Sequence, residues 1–250
     1  MSNTKTNMDV PYLSRGMLEV RAGLLLQAYG QEKRRTVKPP IPVDSIMENF
    51  LKLKFSFMDM RRIFGVDDVA GALWMETGEV GVDHRLDPDA HPRMEGRYNF
   101  TIAHETGHWW LHRRYTLGKP DPMLPFAPAG LAAPTYICRS STRNRAEIQA
   151  NMFAASLLMP RAMVVAIWRD LYGDRPMDIE GLRRYGQAAL SSDPWGCIRR
   201  FPTNEEEYHA SLVEAVIRPL ASRFHVSHQA MRIRLSELGL LPKNFPLMIS

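Results

Sequence analysis

YNFTIAHETGHWWLH, residues 98–112, reads as one helix: Phe100, Ala103, Trp110 and Leu111 fit a single buried side, and the pattern runs from Asn99 to about Tyr115. Inside it, His104-Glu105-Thr106-Gly107-His108 spells H-E-x-x-H. Residues i and i+4 of a helix share a face about 6 Å apart in rise, so two imidazoles placed there can turn toward one ion. Glu105 falls roughly 100° round the helix, beside an open coordination position and not in it. Zinc lowers the pKa of its bound water toward ~7, and a neighbouring carboxylate then takes the proton as the water attacks a carbonyl. His104 and His108 are therefore candidate metal ligands and Glu105 the candidate general base. The pattern arises by chance in a chain of this composition with a probability of roughly 1–2%, so it needs a helical context and a third ligand to carry weight.

His112 continues the stripe by one more i+4 step. A pair made of His108 and His112 would put Trp109 where the base belongs. His104 and His112 are ~12 Å apart along the axis, too far to share an ion through bonds of about 2 Å. His112 is read as a last-turn cation facing the helix dipole or as a hydrogen-bond donor to substrate. A second helix, starting near Arg145 and stopping at Pro160, supplies a candidate third ligand. There Glu147 and Asn151 share a face, and Ala150 and Ala154 keep that surface narrow enough for the two helices to meet. Asn151 falls where its amide oxygen could accept from the Nδ1–H of a ligating histidine. The plain alternatives are two surface histidines on an amphipathic helix and, for Glu147, a first-turn acid at the positive end of a dipole.

Outward from these blocks the chain is ordinary. With 45% hydrophobic and 24% charged residues among 250, wholesale disorder is excluded. There is no apolar run of the roughly 18 residues a bilayer span needs, and no secretory pattern at the start. The expectation is a cytoplasmic protein with no membrane partner, whose Cys138 and Cys197 are reduced thiols. The net charge of +5 is spread along the chain, which permits nucleic acid without requiring it.

Residues 1–15 read as a mobile tail and 16–34 as a helix ending before Pro39-Pro40. Asp44 is a candidate N-cap for a short helix. Segments 54–60, 69–75 and 79–84 read as strands of a small antiparallel sheet, with Gly78 at a hairpin. Residues 116–142, with five prolines, read as an irregular excursion; 162–171 as helix; 173–207 as loop-rich; and 211–241 as helix. Within the last stretch, PLASRFHVSHQAMRIRLSELGLL (219–241) reads as helix-turn-helix. Ala221 is the small residue of the first helix, Val226 closes the turn, Ser227 caps the second helix, and Met231 and Leu235 face inward. His225 stands at a turn position usually given to glycine. His228, Gln229 and Arg232 would point outward toward DNA or a protein partner.

YNFTIAHETGHWWLH, then CR at 138–139 and EIQANMFAASLLMP at 147–160, resembles the ImmA/IrrE family of metallo-endopeptidases. The likeness covers about residues 40–165, with a second patch at 211–241. Thr106 replaces a frequent bulky aliphatic and Gln149 a frequent glutamate. The resemblance implies gluzincin-like chemistry: one Zn2+ per chain on His104, His108 and Glu147, with Glu105 as catalytic glutamate. It also implies limited cleavage of a protein partner, a DNA-binding transcriptional repressor. DNA itself is the alternative partner, in which case the chain would be a DNA-binding regulator with a structural metal site. His112, Tyr98 and Tyr136 are the nearest candidates for polarising the scissile carbonyl. Cys138, nine residues before Glu147, could approach the metal and, as a thiolate, occupy its open position as a redox-lifted brake; a small core cysteine is the other reading.

The expected architecture is α+β, a small antiparallel β-sheet packed against zincin-like active-site helices with a helical C-terminal part. Its segments are a tail and helix at 1–40, a zinc metallopeptidase core at 41–172, a loop-rich insertion at 173–210 and the helix-turn-helix-like segment at 211–250.

Overall fold

The structure is a computed structural model and describes residues 10–116, 134–139, 144–192 and 204–242. The chain divides into two compact units, Met1–Pro160 and Arg161–Ser250. The first unit opens on α1 (Arg15–Glu32), started by Ser14, whose side chain accepts from the Met17 amide at 3.3 Å. Leu18, Ala22, Leu25, Leu26 and Tyr29 are its buried stripe, spaced as a helix requires. A π-helical turn follows at Ser45–Phe50. Asp44 does not cap it by side chain; its carboxylate accepts instead from the Tyr98 hydroxyl at 2.7 Å.

Next come β1 (Lys54–Met58), α2 (Met60–Phe64), β2 (Val69–Trp74) and β3 (Glu79–Asp83). β2 and β3 form the antiparallel hairpin, and Gly78 turns it with a φ of 67°, where a side chain would be strained. β4 (Tyr136–Arg139) pairs antiparallel with the free edge of β2, completing the order β1-β3-β2-β4. The α+β class holds. One of the three pairings, β1 with β3, is parallel, so the sheet is mixed and not wholly antiparallel. Alternation within a strand cannot say which edge of a hairpin that strand will join. Here the chain passes from β1 through α2 and enters β2 on the far side of β3. β2 is buried at all six positions, which accounts for its mostly apolar run. Met60, Val69, Ala72, Trp74 and Ile137 pack together as one core cluster.

α3 (Glu95–Thr116) packs on β2, and α4 (Arg145–Leu158) packs on both α3 and α1. The approach of α4 to α3 is close because Gly107 has no side chain. A Cβ there would stand 3.0 Å from Cδ1 of Phe153 and 3.4 Å from the Ala150 backbone.

In the second unit α5 (Arg161–Tyr172) is followed by α6 (Ile179–Ser192), α7 (Glu205–Phe224) and α8 (His228–Glu237). α6 lies in the stretch expected to be loop-rich. Its two glycines argued against helix on propensity, yet Gly186 is what lets it pack: a Cβ there would meet the Leu212 backbone of α7 at 2.9 Å. His225 adopts the left-handed conformation between α7 and α8, Ser227 caps α8 by accepting from the Ala230 amide at 3.1 Å, and Met231 and Leu235 are buried.

Two further expectations change. β4 occupies the end of the excursion read as irregular; at four residues it is too short for an alternation signal, and the edge of β2 supplies its order. Residues 10–14, read as part of a tail, lie against α4: Val10 is buried, its carbonyl accepts from Arg145 at 3.0 Å, and that of Pro11 accepts from Gln149 at 2.8 Å. The rest of the tail, most of the excursion, Cys197 and residues 193–203 and 243–250 lie outside the described residues.

Substituting valine for Gly107 should force α3 and α4 apart. The expected loss is about 1–3 kcal/mol of stability, read as a lower urea midpoint, with a smaller loss for Gly107→Ala.

Candidate metal centre

Asn144 starts α4 by accepting the Glu147 amide proton on Oδ1 at 2.9 Å, which fixes Glu147 in the first turn. The Gly107 contact brings that turn against α3, and three side chains converge. Nε2 of His104 lies 2.9 Å from Nε2 of His108 and 3.1 Å from Oε2 of Glu147. Oε1 of Glu147 lies 3.3 Å from Nε2 of His108. A tetrahedral ion with bonds of about 2.0–2.1 Å sets its ligand atoms roughly 3.3 Å apart. The spacing and the two-nitrogen, one-carboxylate donor set therefore fit a divalent cation. All three residues are buried.

Around them, each ring is held from behind. Asn151 Oδ1 lies 3.0 Å from Nδ1 of His104, and Nδ1 of His112 lies 3.2 Å from Nδ1 of His108. Tyr136 of β4 stacks on the His108 ring at 3.9 Å between centroids. Glu105 is fully buried, and neither of its carboxylate oxygens has a hydrogen-bond partner among the described residues. Its room comes from β2, since a Cβ on Gly71 would stand 2.9 Å from Glu105 Oε1. Cys138, half-buried on β4, joins His104 and Glu105 in a second cluster whose potential ligand atoms lie within 4.8 Å of one another.

The charges follow from this crowding. Burial alone would raise Glu147, but His108 and His104 beside it hold its carboxyl far below the usual carboxylate range. Burial would lower His104; its neighbours Cys138, Glu147 and Glu105 more than offset that and raise it. His108 is lowered by burial, against the pull of Glu147. Glu105 is pushed up to about 8, first by burial and then by the Glu147 charge, with His104 opposing. His112 is pushed down to about 3 by burial and by His108. It is neutral, so the last-turn cation expected from its place in the helix does not form; α4 covers that face and desolvates it.

Of the other expected site residues, Tyr136 reaches the cluster and Tyr98 does not. Tyr98 packs on Phe55 and Phe57 and donates to Asp44. In the second unit His228 and Gln229 are exposed and Arg232 is half-buried; His228 pairs with Glu214 of α7 at 3.1 Å. Gln149 was not expected at the site. Its Oε1 lies 2.9 Å from Nε2 of His112, 37 positions away in the chain, a separation that leaves no mark on local sequence pattern.

Residues 89–176 match the family model Peptidase_M78, described as the IrrE N-terminal-like domain. No curated protein matches the chain. The matched span contains His104, Glu105, His108 and Glu147, so this segment is similar to the domain of that metallopeptidase family and holds a site able to bind a metal.

Glu105 should govern how the metal-free protein responds to pH. Its carboxyl titrates at its ordinary 4.5 when unfolded and at about 8 when folded. The folded state then holds a proton the unfolded state has lost, and stability present below pH 4.5 declines as pH rises toward 8. Glu105→Gln should remove that decline, on the order of 5 kcal/mol, measured by urea denaturation of metal-free protein across the interval.

Proposed function

We propose that this chain, whose residues 89–176 match the Peptidase_M78 model, is a zinc-dependent, gluzincin-like endopeptidase that cuts a specific protein partner. His104, His108 and Glu147 would hold the ion through Nε2, Nε2 and the carboxylate. Zinc bound there would supply a Lewis acid, acidifying a water and polarising the scissile carbonyl. Glu105 takes the proton of the attacking water on a carboxylate oxygen and delivers it to the leaving amide nitrogen. A carboxyl pushed up to about 8 by burial, and brought back down by positive charge entering the cluster, suits that exchange at neutral pH. Asn151 and His112 hold the two imidazoles in place, and the Tyr136 ring covers His108.

One observation carries this reading. A purely structural metal site has no use for a fully buried carboxyl next to the ligands whose two oxygens have no hydrogen-bond partner among the described residues. A hydrolytic site needs that group. The ImmA/IrrE resemblance supports a transcriptional repressor as the partner cut and a cytoplasmic setting. On this reading α7 and α8 grip or brace the protein substrate, and the pairing of His228 with Glu214 favours that over base contact.

The test is co-expression with the product of the neighbouring gene, followed by a search for a discrete fragment. Wild-type protein should carry about one zinc per chain and produce the fragment. Glu105→Gln should keep the zinc and cleave about 10²–10⁴-fold more slowly. Undiminished cleavage by Glu105→Gln would remove the proposed base, and with it the mechanism.

A further inference from the structure

Behind His108 runs a line of hydrogen bonds whose direction is set from its far end. The Pro11 carbonyl oxygen can only accept, so the Gln149 atom 2.8 Å from it is the amide nitrogen. The amide oxygen of Gln149 therefore faces His112, 2.9 Å from Nε2. That oxygen also only accepts, and His112 must carry its proton on Nε2. Buried between an amide oxygen and an imidazole, His112 in this form presents a lone pair at Nδ1, 3.2 Å from Nδ1 of His108. His108 has to bring the proton to that contact. Its Nε2 is then bare, and it is this atom that faces Nε2 of His104 and the Glu147 carboxylate.

We propose that Gln149 and His112 are positioning residues that, anchored on the backbone of the Val10–Pro11 segment, lock His108 in the tautomer able to bind a metal through Nε2. The segment at 10–11 thus belongs to the metal centre without touching the ion. Arg145 holds the preceding carbonyl, that of Val10, at 3.0 Å. Arg145 and Gln149 stand at i and i+4 on α4 and clasp two consecutive carbonyls on either side of the turn that presents Glu147. His104 is served in one step by Asn151; His108 is served in two, from a part of the chain 138 positions away from Gln149. Nothing in this arrangement depends on which protein is cut. It does rest on His108 being a ligand.

The experiment uses the full chain labelled with ¹⁵N-histidine. In metal-free wild-type protein, long-range ¹H–¹⁵N correlation should show His108 protonated on Nδ1 and His112 on Nε2. Finding His108 protonated on Nε2 overturns the proposal without any variant. Zinc affinity is then measured by competition with a chelator. Gln149→Leu should weaken it about 10–100-fold and scramble the His108 tautomer. Gln149→Glu, whose carboxylate still accepts from His112 but no longer donates to Pro11, should recover the His108 tautomer while leaving zinc binding weaker than in wild type. Unchanged affinity and tautomer in a folded Gln149→Leu protein refute the relay. His108→Ala separates the two ideas: if it binds zinc as tightly as wild type, the ligand assignment itself fails, whereas loss of zinc in His108→Ala with none in Gln149→Leu removes the relay alone.

Discussion

The approach of α4 to α3 across Gly107 is the constraint on which the site rests. Glu147 has to enter the space between two imidazoles one helical turn apart, and a carboxylate can do so only if its helix comes nearly to backbone contact. A glycine on one helix and Ala150 on the other provide that contact. The remaining parts serve to hold it: Asn144 fixes the turn that bears Glu147, and α1 backs α4. β2 lies under α3 with Gly71 facing Glu105.

Bringing ionisable groups this close, away from water, divides their protonation sharply. Glu147 keeps its charge because two rings face it, while Glu105, a short distance along α3, is pushed the other way by burial. Two glutamates on adjoining helices thereby acquire opposite characters, one a persistent anion suited to a ligand and one a group able to exchange a proton. The neutral His112 belongs to the same logic. Deep burial suppresses its charge and makes it a hydrogen-bond link to His108.

Much of this was legible beforehand. The spacing of His104 and His108 sets two rings on one helical face whatever the surroundings, and Glu147, Ala150 and Asn151 follow from the same periodicity on the next helix. The hairpin at Gly78 and the apolar run of β2 are local signals as well. Other features depended on partners far along the chain. The edge joined by β1 and the order of β4 belong to pairing, and α6 is a helix in spite of its glycines because Gly186 fits against Leu212. Tyr98 looked well placed beside the motif, yet its hydroxyl is claimed by Asp44.

What the sequence alone determined are the identities and the helical phase of the candidate metal ligands, because a helix repeats every 3.6 residues by its own hydrogen bonding. Tertiary structure decided their state. Burial sets which groups are charged, Gln149 and Pro11 fall behind His112, and Tyr136 and Cys138 come to the cluster from β4. Those outcomes follow from desolvation and from contacts between distant segments, neither of which is written in any local window of residues.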